Sequence, residues 1–531
     1  MKNCKLTRRQ FVGGSVGASL LASVRVGSEA RSQTSVGSKY KLFWGDLHNH
    51  NAVGYAKGSL QRSIEIAREH LDFFAFTGHA SWHDMPKMPG DRHLKWVNGF
   101  KAQADHWPKT RRLIREANGR DFVAFLGYEW HSSRFGDYCL VFEQDQPELF
   151  LPDHVEKLLD FAESKGALAI PHHVAYKQGW RGANFDYFRP KPSPVVEVFS
   201  EHGCSENDTA PFAYIRHSMS GRSTANTIAR QLEKGLRFGF VASSDSHRGY
   251  PGAYGEGVTG VWARELTAEA LFEALRARRT FAATGDRIVL DVTLNGRRMG
   301  SDLAPIVDRQ IDVRAEGQDS IEMIELIRNG RVIERHFPAD NSRRPPKLPG
   351  RVKCRFQYGW GPWAALDLGR ICSWDMLIRV DAGKFLQVIP CFQSAPFAED
   401  LRDELRIISP QAFHLRSHTS RELCFAEDPT KAVVFEIEGS PDAELTIEVH
   451  RPTQQAVRAR LIDLARDNVV TFTGVFTSES HIVHRLVSPD EYLATVRFHD
   501  RRDVARGPDW YYVRLAQHNG HMAWSSPIWV G

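Results

Sequence analysis

The sequence predicts an α/β fold followed by a β-rich region. Three observations carry that prediction. From about Tyr40 to Gly285, short apolar runs alternate with amphipathic stretches, the pattern of a parallel sheet, open or closed into a barrel. After about Arg287, apolar residues alternate at a period of two between Gly, Asp, Asn and Pro turns, which reads as a β-sandwich of one or two layers. The 531 residues accommodate both, at roughly 150 residues per domain and about 250 for a barrel. Hydrophobic residues at 42% and charged residues at 25% exclude disordered and fibrous classes. A net charge of +5 is too mild over this length to call for nucleic acid or an anionic membrane.

The N-terminus reads as an address. Thr7-Arg8-Arg9-Gln10-Phe11-Val12 is a twin-arginine signature. An apolar, small-residue stretch runs from Val12 to Val24, and Ser28-Glu29-Ala30 offers a cleavage site. Residues 1–30 are expected to be a signal peptide for the twin-arginine export machinery, giving a periplasmic or secreted protein with no membrane span after signal removal. That route carries folded proteins, which suits metal loading in the cytoplasm. Gly13-Gly14-Ser15-Val16-Gly17 matches a hydrolase elbow but lacks a preceding strand, so it is set aside.

The α/β unit is expected over residues 31–286. Lys41 to Trp44 reads as a strand running into Gly45-Asp46. Leu60, Ile64, Ala67 and Leu71 recur at helical spacing, and Phe73 to Phe76 is a buried strand. Lys95 to Asn118 is mostly helical, and Phe122 to Leu126 is a further strand. Asp153 with Glu156 reads as a capping box before the apolar face of Leu158, Leu159 and Ala162. Ala167 to Ile170, Val195 to Phe199 and Phe238 to Ala242 complete the strands. Over residues 287–531 the period-two runs include Ile288 to Leu294, Ile321 to Leu326, Val433 to Ile437, Leu445 to Val449, Val469 to Phe472 and Trp510 to Leu515, with a basic, Pro-rich loop from Asn341 to Arg351. Seven Cys lie far apart without a C-x-x-C pair, so scattered buried thiols are expected.

Chemistry-bearing residues fall where the strands end. The first strand ends in Gly45-Asp46-Leu47-His48-Asn49-His50, and two His one residue apart point the same way from an extended strand. The second ends in Thr77-Gly78-His79, with His83 four residues on. The third ends in Gly127-Tyr128-Glu129-Trp130-His131. Pro171-His172-His173 and Ser244-Asp245-Ser246-His247 follow. Sites in parallel α/β barrels assemble at the C-terminal ends of strands, so these five segments are expected to converge on one pocket. Imidazole with carboxylate suits Zn, Mn or Fe. A bound ion lowers the pKa of its water to roughly 7, and two ions clamp the attacking and leaving oxygens of an in-line displacement. Lys57, Lys177, Arg181 and Arg248 lie beside these segments as candidates to bind an anionic substrate. His202 and Glu206 are candidates to shape the pocket or act as acid. Gly255 to Gly260 fits G-x-G-x-x-G but precedes a strand, not a helix, so a dinucleotide site is not expected.

The order D-L-H-x-H, T-x-H, G-x-E, P-H, S-S-D-S-H resembles the polymerase-and-histidinol-phosphatase (PHP) superfamily. The stretches from Gly252 to Gly285 and from Trp524 to Trp529 are similar to its exported branch with a C-terminal β domain. The resemblance implies a distorted (β/α)7 TIM-like barrel holding two or three divalent ions and hydrolysing phosphoesters. By motif it implies His48, His50 and Asp245 on one ion, Glu129 bridging two, His79 and His247 on another, and His172 on a third. It also makes Asp46 an orienting residue for a ligand His. Three positions depart from the pattern. Ala56 stands where an Asp or His ligand is usual, Gly78 replaces the Asp of T-D-H, and Asp137 replaces a ligand His; His83, His173 and His202 are candidates to compensate. The expected function is an exported metal-dependent phosphoesterase acting on a small-molecule or glycan-linked anionic substrate, with Glu129, Asp245 and His202 as the catalytic candidates. The alternatives are a metal-dependent enzyme acting on a polysaccharide or other non-phosphate substrate, and a non-catalytic ligand-binding protein.

Overall fold

The computed structural model describes residues 25–26 and 39–531, apart from 218, 339–345, 360–369, 394–400, 421–429, 476–477, 504 and 506. The expected signal segment, except residues 25–26, and the start of the Pro-rich loop lie outside the described residues. The fold is mixed α/β with mostly strands.

The first half builds β1 (Lys41–Asp46), α1 (Leu60–His70), β2 (Phe73–Phe76), β3 (His79–Trp82), α2 (Leu94–Ala117), β4 (Val123–His131), β5 (Tyr138–Phe142), α3 (Val155–Ser164), β6 (Leu168–Pro171), β7 (Val195–Ser200), α4 (Ile228–Glu233), β8 (Gly239–Ala242), β9 (Val258–Ala263), α5 (Ala268–Arg276) and β10 (Thr280–Ala283). Ser59 caps α1 by accepting the Arg62 N–H, and Leu60, Ile64 and Ala67 turn one buried face to the sheet. For α3 the cap falls one residue later than the spacing predicts. His154, not Asp153, accepts the Glu156 N–H, and Asp153 instead pairs with Lys157 at the surface.

β1, β2 and β4 pair in parallel, as do β7 and β8. The rest of the expected parallel sheet is a correction. β5 returns antiparallel to β4, β6 antiparallel to β5, and β9 antiparallel to β1. The loop between β4 and β5 is too short for a crossover helix, so only a hairpin fits there. Leu47, Phe73, Val123, Cys139, Ile170, Val195, Val241 and Val261, from or just beyond the strands of both sheets, nevertheless meet in one interior cluster.

The sheets cross the expected boundary at 286. β10 pairs with Met522–Ser525, which pairs with Asp509–Gln517, so the segment expected as a sandwich strand extends the sheet of the α/β unit. The reason is packing: Trp524 is fully buried and shares a core with Phe199, Phe240 and Ala282. Asp286 itself is a buried hub. Its oxygens accept from Arg355 Nη2, Tyr254 OH, Gln517 Nε2 and Asn519 Nδ2 at 2.7–2.8 Å. Burial raises its pKa, but Arg355 and these donors outweigh burial and hold the carboxyl below the usual range. The remaining strands form three further sheets: those built around Lys431–Gly439 and Cys372–Val380 share one core, and the third, with Val289–Leu294, Asp308–Glu316 and Leu493–Arg501, packs into the main core of the α/β unit. Every described cysteine, Cys139, Cys204, Cys354, Cys372 and Cys391, is a buried free thiol; Cys4 and Cys424 lie outside the described residues.

Asp286→Asn strands the Arg355 charge, so it is expected to lower stability by about 3–5 kcal/mol in urea unfolding. A chain ended at residue 286 leaves β10 an unpaired edge and is expected to lose cooperative thermal melting.

Candidate metal centre

The centre starts from the segment that continues β1. Asn49 bridges to Ser246, the His50 N–H donates to the Ser246 carbonyl, and the Asp245 N–H donates to the His48 carbonyl at 2.8 Å. The end of β1 and the loop after β8 are thereby held side by side. Asp46 locks the junction. Its carboxylate accepts from His48 N, Ser244 N, Ser244 Oγ and Gly252 N at 2.5–3.1 Å. With its acceptor capacity used this way, Asp46 is framework. Burial pushes it up to about 6 against those hydrogen bonds.

His48 Nδ1 lies 3.1 Å from Glu197 Oε2 on β7. A carboxylate there favours a proton on Nδ1, which in the neutral ring leaves the Nε2 lone pair facing inward. His48 Nε2 is 3.1 Å from His50 Nε2 and 3.3 Å from Asp245 Oδ1. His50 Nε2 is 2.9 Å from Asp245 Oδ1. Glu129 Oε2 closes the set, 3.5 Å from His50 and 3.9 Å from His48. Four ligands at 2.0–2.1 Å from a tetrahedral ion sit about 3.4 Å apart. The spacings above, 2.9–3.9 Å, bracket that value.

Glu129 joins this set to its neighbours. Its Oε2 is also 3.3 Å from His79 Nε2. Its Oε1 lies 2.8 Å from His172 Nε2 and 3.3 Å from His131 Nδ1. Glu129 Oε2 and both ring nitrogens of His131 are nonetheless buried without a hydrogen-bond partner. Such orphaned atoms cost about 1–3 kcal/mol each, and a cation among them removes that cost. The charges point the same way. Burial raises Glu129 and Asp245, but the surrounding imidazoles outweigh it and hold both well below the usual range. Burial lowers the rings and holds His50 down to about 3 and His79 well below 6.5, whereas Asp245 beside His48, and Cys139 and Glu129 beside His172, outweigh burial and hold those two rings well above it. The residues present therefore fit divalent cations.

Backbone strain concentrates here. Asp245 has φ 53°, His173 φ 33° and Arg181 φ 68°, all in the left-handed region that non-glycine residues avoid.

The structure brings together His48, His50, His79, Glu129, His172 and Asp245, with His247 at the rim. His247 is 32% exposed, and its Nδ1 lies 3.2 Å from Glu201 Oε1. His202 sits differently from a free acid. Its Nδ1 meets Tyr176 OH at 2.6 Å and its Nε2 meets Asp245 Oδ2 at 3.0 Å, so both nitrogens are occupied in orienting Asp245. Asp137 and His173 lie against Arg181 beside the Glu129 group. His83 is a correction: it is exposed, and its Nε2 meets the Leu151 carbonyl. Lys57 and Lys177 are exposed, and Arg248 lies 3.8 Å from Glu201. Glu206 lies apart, buried against Arg514, Tyr512 and Trp524. At Gly78 a Cβ would meet Phe76 at 2.5 Å and Gln103 at 2.8 Å, so no aspartate fits there. Tyr55, next to Ala56, stacks on His79 at 3.7 Å.

Three residues carry contacts for which the sequence reading assigned no role. His131 is two residues from Glu129 on one strand and shares its face, the same logic that flagged His48 and His50. Glu197 is a lone acid within an apolar strand. Glu201 follows that strand directly. A charged residue within or next to an apolar strand was the available signal for Glu197 and Glu201.

The family of unknown function DUF3604 matches residues 253–297. Uncharacterised proteins of Chlamydia trachomatis serovar D and Chlamydia pneumoniae are similar, at 27% identity over 335 residues and 32% over 328. Each match covers 57% of this chain, and the chain spans about half (50%) of the length of these relatives. Among solved structures, a two-domain protein from Bacteroides vulgatus containing a predicted PHP-like metal-dependent phosphoesterase aligns over 84% of this chain and 100% of its own, at 12% identity and a TM-score of 0.32.

Behind Glu201, burial and then the Glu201 charge push Glu256 up to about 8 from 4.5. A carboxyl raised in the folded state costs stability as it ionises. Stability is therefore expected to fall as pH rises from 4.5 towards 8, and Glu256→Gln is expected to flatten that stretch of the melting-temperature profile.

Proposed function

We propose that this chain is an exported metal-dependent hydrolase that cleaves phosphoesters. The observation that carries the reading is the bridging Glu129, a buried carboxylate with one oxygen facing His48, His50 and His79 and the other facing His131 and His172. Imidazole and carboxylate donors in this mixture suit Zn, Mn or Fe. The residues that would hold such ions are His48, His50, His79, Glu129, His131 and Asp245. Bound there, divalent ions supply a hydroxide-strength nucleophile near neutral pH and a Lewis acid for a phosphoryl oxygen.

The remaining work falls to the chain itself. Glu197 holds the proton of His48 on Nδ1. Tyr176 and His202 aim Asp245. Lys57 and Arg248 flank His247 at its exposed side, where an anionic substrate would enter; the Lys57 N–H donates to the His247 carbonyl. Export rests on the Arg8-Arg9 signature and supports a periplasmic or secreted location. No helix among the described residues is long and apolar enough to cross a membrane.

Purified protein given Mn²⁺ or Zn²⁺ is expected to hydrolyse p-nitrophenyl phosphate or its diester. EDTA is expected to stop the reaction and added metal to restore it. His48→Ala and Asp245→Asn are expected to lose both metal and activity, and Glu197→Gln to lose about 10–100-fold in metal affinity or rate. Metal-loaded protein that leaves both phosphoesters intact but cleaves a glycan would replace the phosphoester reading.

A further inference from the structure

We propose that the Arg181 guanidinium takes the place of a third metal ion in this centre. The inference rests on the metal reading above and concerns how many ions the centre holds. Among the donor groups here, three are distinguished by their carboxylates: His48, His50 and Asp245; His79, Glu129 and His131; and Glu129, Asp137, His172 and His173. Of these three, the third has a guanidinium, that of Arg181, against its donors. Asp137 is fully buried, and its Oδ1 accepts the Ser132 N–H at 3.0 Å. Its Oδ2 faces the group and receives Arg181 Nε at 2.8 Å and Nη2 at 2.7 Å. Nη2 also lies 3.2 Å from His173 Nε2, so the lone pair that would ligate an ion accepts from the guanidinium instead.

The loop is shaped to deliver this side chain. Arg181 sits at φ 68°, and its N–H donates to the Ser133 carbonyl at 3.1 Å. The next residue is Gly182, where a Cβ would lie 1.9 Å from the Tyr176 carbonyl oxygen, so the chain doubles back at a point only glycine allows. The guanidinium then lies 5.6 Å from the Trp82 ring centre. Asp137 is one of the departures from the family pattern. A carboxylate oxygen there accepts from both Nε and Nη2 of the guanidinium, which a neutral imidazole would not do. The exchange changes the chemistry available on that side. Arginine stays protonated and has no open coordination position, so it supplies fixed charge and N–H donors for an anionic oxygen but activates no water.

Elemental analysis after loading with Mn²⁺ or Zn²⁺ and dialysis is expected to find two ions per wild-type chain. Arg181→Ala and Arg181→Met, with folding checked by circular dichroism and melting, are expected to rise to three, while Arg181→Lys, which keeps the charge, stays at two. Anomalous scattering from Mn-loaded wild-type crystals gives a variant-free check, with two peaks and none between Asp137 and His173. A wild-type count of one or three, a peak at that third position, or folded Arg181→Ala and Arg181→Met chains that remain at two overturns the substitution while leaving the metal centre standing. A wild-type chain that binds no metal overturns the centre and this inference with it.

Discussion

Glu129 carries a charge in a place that water does not reach, with 2% of its side chain exposed. Burying an unpaired carboxylate costs several kcal/mol, so everything within reach of it has to answer that charge. Five imidazoles from four separate chain segments do so. They come from the extension of β1, from the start of β3, from β4 itself and from the end of β6. The ladders and the apolar core place those strands so that each delivers a ring nitrogen to one of two oxygens.

The imidazoles are in turn held by a second ring of groups. Glu197 orients His48, Glu201 orients His247, and Tyr176 with His202 orients Asp245. Asp46 ties the β1 and β8 ends together through backbone N–H groups. The strained backbone at Asp245 and His173 persists because these bonds over-determine it. A rigid cage of this kind holds donor atoms at spacings suited to small cations, which a flexible set of side chains would not maintain.

The β-rich second half is part of the same construction. Its last strands lengthen the sheet that carries β1 and β10, and Asp286 fastens the α/β unit to both Arg355 and the chain near Gln517 and Asn519. The candidate metal centre therefore depends on strands more than two hundred positions downstream of Asp245. Sheet continuity transmits that dependence, since β10 has β9 on one side and Met522–Ser525 on the other.

Much of the centre was legible without coordinates. His48 and His50 share a face because a strand repeats every two residues, and the apolar runs before Asp46, His79, Glu129, His172 and Asp245 mark each as the end of a buried strand. Those are local properties, and the chain order alone determines them. Strand direction was not local: a short turn after β4 reversed β5 and made the expected parallel wall a mixed one. The boundary near 286 was not local either, because a change in apolar period does not reveal that Trp524 packs beside β10. The choice between a metal ligand and an ion pair at Asp137 was also left to the tertiary structure. A carboxylate can serve either end, and only the fold decides whether an arginine forty-four positions away arrives to meet it.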